Sequence, residues 1–293
     1  MIILHKKTDL QSYLARRQEK GKKTGFVPTM GALHQGHVSL IESSRKDNSI
    51  TVCSIFINPT QFNDANDFKK YPVTIDRDIY KLEAAGCDVL FLPPVDEIYP
   101  DGFATTVRVK GLGEILEGAE RGPGHFEGVC TVVAKLFNIV GPDVAFFGQK
   151  DAQQVAVLRR MTADLDIPVR IEVVPTVREP DGLALSSRNV RLDPSERERA
   201  LALSQALAAA RETIGAGERD SARIRESALA AMAPHQVAPE YLALVDPDSF
   251  LRVDAVNGRV LVAVAARVGD TRLIDNALVA TSPAEASTPN KER

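Results

Sequence analysis

Five short apolar runs, separated by stretches of helical period, constrain this chain more than any other feature of its sequence. Thr24-Gly25-Phe26-Val27, Ile50 to Ile57, Asp88 to Leu92, Val144 to Phe147 and Val169 to Val174 are rich in β-branched and aromatic residues. Their apolar character is continuous rather than alternating, as in strands covered on both faces. Ile75, Ile79 and Leu82 form one helical stripe, closed by Gly86. Val129, Val132, Val133, Leu136, Phe137 and Val140 form another, closed by Gly141-Pro142. Strand–helix alternation of this kind predicts right-handed crossovers and an α/β fold with a doubly wound parallel sheet. Ligands of such sheets sit beyond the carboxyl ends of the strands, so chemistry is expected in the loops that leave those ends.

The pattern changes near residue 190. Asp193-Pro194-Ser195-Glu196 has the form of a helix start, with an N-cap Asp, Pro in the first turn and an early acid. A long helix is expected from Glu196 to Ile214 and a second from Ser221 to Met232, stopped by Pro234. Short β-like runs follow at Tyr241 to Val245, Val260 to Val268 and Thr271 to Ile274, which predicts a smaller α+β domain. The boundary is placed between residues 176 and 177, so that the second domain is 177–282. The Pro, Ser, Thr, Glu and Lys of 283–293 are expected to form a disordered tail.

Charge and cysteine content narrow the function classes. Lys and Arg number 36 against 39 Asp and Glu, a formal net charge of −3, which gives no footprint for nucleic acid or an anionic membrane. Cys53, Cys87 and Cys130 are far apart and unpaired in pattern, so reduced core thiols are expected rather than a disulfide frame or a metal site. Met1 to Lys7 is too short and too soon charged for a signal peptide, and no apolar run approaches the ~18–20 residues of a membrane span. A cytoplasmic protein is expected.

Four segments carry chemistry. Pro28-Thr29-Met30-Gly31-Ala32-Leu33-His34-Gln35-Gly36-His37 stands where the first run ends and a helix begins. Two histidines three apart at a helix N-terminus face one region, where the dipole already favours an anion. Alone, the pair reads equally well as a surface turn with solvated histidines. Asn58-Pro59-Thr60-Gln61-Phe62 follows the second run, with amides suited to a small hydroxy acid, although Asn-Pro also opens ordinary turns. Gly148-Gln149-Lys150-Asp151-Ala152-Gln153-Gln154 leaves another strand end. Lys150 can reach phosphate oxygens there, Asp151 can meet ribose hydroxyls or cap the helix, and Gln154 lies one turn on. Val177 to Asn189 includes Leu185-Ser186-Ser187-Arg188, two hydroxyls and a fork-shaped cation that suit a triphosphate; on its own it is an ordinary surface loop.

Taken together and in this order, the four segments resemble those of the pantothenate synthetases, a family of the H-x-G-H nucleotidyltransferase superfamily on a Rossmann-like fold. The likeness covers about residues 1–282. It departs at Gln149, where Glu is frequent, at Leu185, where Met is common, and at Gly122, inserted between Arg121 and Pro123. That insertion shifts Arg121, to which no role is carried over, and His125 is expected only to cap the next helix.

The resemblance implies an ATP-dependent ligase that joins pantoate to β-alanine through a pantoyl adenylate, releasing AMP and pyrophosphate, in pantothenate and coenzyme A biosynthesis. It implies catalytic roles for His34, His37 and Lys150, with His37 also a proton donor. ATP is expected on Met30, Gly31, Ala32, Leu33, His34, Gln35, Gly36, His37, Gly148, Gln149, Lys150, Asp151, Val177, Leu185, Ser186, Ser187 and Arg188. Pantoate falls to Gln61 and Gln154, and β-alanine to Gln61. Mg2+ is expected on the ATP phosphates with no dedicated protein cage, and the family form implied is a homodimer. By the same likeness residues 1–176 bind nucleotide and pantoate, and 177–282 carry the Ser-Ser-Arg loop. Rival readings are an adenylyltransferase that keeps AMP on its product, a class I tRNA synthetase, which the short chain and missing basic face disfavour, and a non-catalytic nucleotide-binding protein on the same fold.

Overall fold

The computed structural model describes residues 1–18, 21–63, 68–122 and 124–281; the expected tail lies outside them. Two compact units are formed, one from 1–180 with 184–189, the other from 181–183 with the chain from 190 onward. The Ser-Ser-Arg segment thus packs with the larger unit, whereas the expected boundary at 177 assigns it to the smaller.

Among the described residues the larger unit holds six parallel strands: β1 (Ile2–Leu4), β2 (Thr24–Thr29), β3 (Ile50–Ile55), β4 (Val89–Phe91), β5 (Val144–Gly148) and β6 (Arg170–Val174). Their order across the sheet is β1-β4-β3-β2-β5-β6. The chain winds one way from β2 through β3 to β4, then resumes on the other side of β2 with β5 and β6. The winding therefore reverses between β2 and β5, which pair Gly25 with Val144 and Phe26 with Ala145. Five strands match expected runs. β1 has no counterpart among them, because three residues beside His5-Lys6-Lys7 give no period; its pairing with Val89, Leu90 and Phe91 makes it a strand.

Alternate residues of each strand serve opposite cores. Phe26, Val52, Val89, Phe91, Ala145 and Phe147 face a core completed by α1 (Lys7–Gln18), α6 (Gly124–Val140) and α7 (Ala152–Asp164). Val27, Cys53, Ile55, Leu90 and Phe146 face a second core, closed by α2 (Gln35–Asp47) and α3 (Ile75–Ala84). Two short helices, α4 (Val95–Ile98) and α5 (Glu117–Arg121), lie in the long connection before α6. Burial on both faces explains why the runs read as continuously apolar. Cys53, Cys87 and Cys130 are all buried and free. Burial pushes the thiols of Cys87 and Cys130 up to about 12, and that of Cys53 well above its ordinary value.

The smaller unit is α+β. Helix α8 (Pro194–Gly215) opens with a reciprocal cap, in which Asp193 accepts from the Glu196 N–H and Glu196 from the Asp193 N–H. Helix α9 (Ser221–Met232) follows, capped by Asp220. An antiparallel sheet in the order β7 (Pro239–Val245), β8 (Arg259–Val268), β9 (Thr271–Ala280) completes the unit. Leu203, Leu207, Ile214, Ile224 and Met232 pack with Val260, Val262 and Val264. Among the described residues no helix is long and apolar enough to cross a membrane.

Candidate active site

The loops after β2, β3 and β5 leave the carboxyl edge of the sheet at and beside the reversal of strand order, the position where ligands of doubly wound sheets collect. After β2 the backbone turns sharply through Gly31 (φ 81°) and Ala32 (φ 50°), both left-handed. Thr29 Oγ1 accepts from the Gly31 N–H at 3.2 Å and donates to the Ser54 carbonyl at 2.8 Å, tying the turn to β3. Asp78 of α3 accepts from the N–H groups of Ala32 and Leu33, and Lys81 donates to the Leu33 carbonyl.

His34 is the N-cap of α2. Its Nδ1 accepts from the Gly36 N–H at 3.1 Å, while Nδ1 of His37 accepts from the His34 N–H at 3.3 Å. The two half-buried rings lie with centroids 4.1 Å apart. A ring nitrogen that accepts carries no hydrogen, so each neutral imidazole bears its hydrogen on Nε2. The electrostatics agree. Burial first, then the Lys150 cation, lowers His34 to about 4. Burial, the neighbouring His34, Lys150 and Lys81 hold His37 well below its ordinary value. Lys150 acts electrostatically on both rings, and Asp151 and Glu179 on His34, so these charges lie within electrostatic reach of the histidine pair.

Gln61 belongs to the same region. It ends a single 3₁₀ turn, Pro59–Gln61, and its Nε2 lies 3.2 Å from Met30 Sδ. Asn58 does not cap this turn. Instead its Nδ2 donates to Gln61 Oε1 at 3.0 Å and to the Gly128 carbonyl at 3.1 Å, while its Oδ1 accepts from Tyr99 Oη at 2.8 Å. Asn58 is buried and orients the Gln61 amide. His125 does not act as a cap either: it sits inside the first turn of α6 with Nδ1 2.9 Å from the Gln61 carbonyl oxygen. Burial and the nearby Arg121 lower it to about 4. Arg121 pairs with Glu117 at 3.1 Å.

After β5, Gln149–Asp151 form a 3₁₀ turn and α7 begins at Ala152. Asp151 occupies the N-cap position without a side-chain cap bond; its Oδ1 lies 3.6 Å from Lys150 Nζ. A side chain at Gly148 would meet nothing within 4 Å. Gln154 is half-buried in the first turn of α7. Its neighbour Gln153, which no motif reading singled out, is buried and structural: it accepts from the Glu117 N–H and donates to the carbonyls of Leu112 and Ile115. In the fourth segment the Leu185 N–H donates to the Val177 carbonyl at 3.0 Å. The Arg188 N–H reaches Ser186 Oγ at 3.2 Å, and Asn189 ties the loop to Glu179 and Ala184. Ser187 and Arg188 are half-buried. Among the described residues no group of three or more His, Cys, Asp or Glu is placed to hold a metal ion.

Comparison with known proteins shows the family. The chain matches the family model described as pantoate-beta-alanine ligase over residues 2–278. It is 50% identical over 280 residues to the pantothenate synthetase of Acetivibrio thermocellus, covering 95% of this chain and 99% of that protein. The crystal structure of pantothenate synthetase from Thermus thermophilus superposes with a TM-score of 0.89 at 46% identity, over 94% of this chain and 99% of that one. The pantoate-beta-alanine ligase of Francisella tularensis, solved in complex with beta-gamma ATP and beta-alanine, gives a TM-score of 0.78 at 37% identity, over 95% and 97%. With a family model that spans nearly the whole chain and solved relatives that share its fold end to end, this chain belongs to the pantoate-β-alanine ligase family of enzymes.

Proposed function

We propose that the chain condenses pantoate with β-alanine in two steps, through a pantoyl adenylate, and that the four segments divide the work between them. A pantoate carboxylate oxygen attacks the α-phosphorus of ATP, the bond to the β-phosphate breaks, and pyrophosphate leaves. The amine of β-alanine then attacks the activated carbonyl. The bond to AMP breaks, and the nitrogen loses a proton to give the amide. The Francisella relative was solved with beta-gamma ATP and beta-alanine, which supports ATP and β-alanine as substrates here.

The observation that carries this reading is the pair of histidines at the head of α2, each with its Nδ1 engaged by backbone and its hydrogen on Nε2, beside the Lys150 cation. Neutral N–H donors fixed in this way need no reorganisation as charge grows on phosphate oxygens in the transition state. A ring held neutral by its cap and by burial is suited to donating hydrogen bonds, not protons, so His37 is assigned to charge stabilisation rather than to general acid catalysis. Lys150 supplies the point charge, with Ser186, Ser187 and Arg188 on the phosphate tail. The remaining nucleotide contacts fall to Met30–His37, Gly148, Gln149, Asp151, Val177 and Leu185. Gln61, its amide set by Asn58, and Gln154 hold the pantoate, with β-alanine entering beside Gln61. With no cluster of three ligating side chains among the described residues, Mg2+ would be held by phosphate oxygens and water, where it offsets triphosphate charge. A homodimer, the form that the family resemblance implies, in the cytoplasm completes the proposal.

Isotope exchange tests the order of steps. Pantoate alone should support exchange of labelled pyrophosphate into ATP, because the first site is complete before the amine arrives. Exchange that strictly requires β-alanine, or ADP as the nucleotide product, would refute the stepwise adenylate. AMP retained on the final product would reveal an adenylyltransferase instead.

A further inference from the structure

We infer that Asp78, a residue of α3 outside every motif described above, is a positioning residue for adenylation: it holds the turn that sets where His34 stands. The inference rests on the proposed role of His34. Asp78 is fully buried, and its carboxylate is turned onto backbone. Oδ2 accepts from the Ala32 N–H at 2.9 Å, and Oδ1 accepts from the Leu33 N–H at 2.8 Å and from Thr74 Oγ1 at 3.1 Å. Lys81, one turn further along the helix, donates to the Leu33 carbonyl. One face of α3 therefore grips both the N–H and the C=O of Leu33, the residue next to the N-cap His34.

This grip answers a local need. Ala32 sits at φ 50°, a conformation that a residue with a side chain keeps only when its surroundings impose it. The two bonds to one carboxylate impose it. They also change what the turn offers a nucleotide. The N–H groups of Gly31, Ala32 and Leu33 are all engaged inside the protein, on Thr29 and Asp78. The Nε2–H groups of the two histidines stand as donors for phosphate, and the aim of His34, which follows Leu33 directly, depends on the backbone that Asp78 fixes. The pantoate side is set mainly by Asn58 and α6, with a single contact to this turn where Gln61 Nε2 meets Met30 Sδ, and none of these bonds is made by Asp78.

Asp78→Asn keeps the volume but sets an NH2 against a backbone N–H, so one of the two grips is lost. Pyrophosphate exchange should slow about 10- to 100-fold, the scale of a 1 Å misplacement of a reacting group, with the KM for pantoate unchanged. In a His34→Ala background the same substitution should have little further effect, because both act through one ring. Thr74→Val, which removes only the hydroxyl on Oδ1, should show a smaller loss with the same coupling, and it carries the test if Asp78→Asn does not fold. Near-normal exchange in both variants, effects that multiply with His34→Ala, or a pantoate KM that rises in step would each overturn the assignment while leaving the proposed reaction in place. Full exchange activity in His34→Ala would overturn the reading of the site, and the role of Asp78 with it.

Discussion

Gly128, in the second turn of α6, is the point at which that helix touches the turn bearing Gln61. A methyl group there would stand 2.6 Å from both the carbonyl carbon and the oxygen of Thr60, and 2.7 Å from the Gln61 nitrogen. Carbon atoms in contact prefer about 3.5–4.0 Å, so Gly128→Ala requires the two backbones to part by about 0.9 Å. Neither is a flexible side-chain end that can swing aside. Overpacking of this kind costs roughly 1–3 kcal/mol, and the better helix propensity of Ala returns about 0.5–1 kcal/mol. The net loss of about 1 kcal/mol should lower Tm by about 2–4 °C. The larger effect should fall on function, because the shift carries Gln61 away from the proposed acid site and stretches the 3.1 Å bond from Asn58 to the Gly128 carbonyl. At roughly 10²-fold per ångström of misplacement, the KM for pantoate should rise by about one to two orders of magnitude, with that for ATP within about twofold. Initial rates against each substrate, with a thermal melt, measure all three quantities. A variant with wild-type pantoate KM, or with equal rises for ATP and pantoate, would refute the division of the site into an acid side and a phosphate side.

Lys150→Ala should slow pyrophosphate exchange about 10²-fold, the scale of removing one transition-state donor, with little change in Tm; near-normal exchange would remove Lys150 from the mechanism. The histidines give a pH prediction with a definite sign. His34 and His125 titrate near 4 in the folded protein and near 6.5 once unfolded, and His37 is lowered in the same direction. Their contribution to stability is therefore complete above about 6.5 and is lost as pH falls from 6.5 toward 4. Tm should decline through that window, and exchange rates should show no histidine inflection near 6.5. An inflection there that disappears in His37→Gln would restore His37 as a proton donor.

The strand runs were legible because each is buried on both faces, which leaves a continuous apolar signature. The candidate segments stand out in the sequence because glycine turns, histidines and a lysine at strand ends are few and sit in a distinctive order. What stayed hidden acts at long range. Asp78 is one acid among several on an amphipathic helix, and nothing local marks it as the carboxylate that meets a turn 45 residues earlier. Asn58 reads as a turn opener, yet its side chain spans 70 residues to Gly128. Gln153 and Gln154 look alike in sequence, and only packing shows that the first braces the connection before α6. The domain boundary has the same character. Composition shifts near 190, where the units do divide, whereas the family resemblance draws the expected boundary forward to 177.

All three thiols lie in the larger unit, buried at positions 53, 87 and 130, and the smaller unit has none. With the ionisation of Cys87 and Cys130 pushed up to about 12 and that of Cys53 well above its ordinary value, almost none is thiolate near neutrality. An alkylating reagent can thus modify the native protein only when the parallel sheet or a helix that covers it opens. Pulsed alkylation followed by peptide mass spectrometry becomes a built-in clock for that one unit. Cys53 on β3, Cys87 before β4 and Cys130 on α6 sample both sides of the sheet. If the sheet and its covering helices unfold as one cooperative body, the three sites will label at a single rate; helix α6 peeling away first would let Cys130 run ahead.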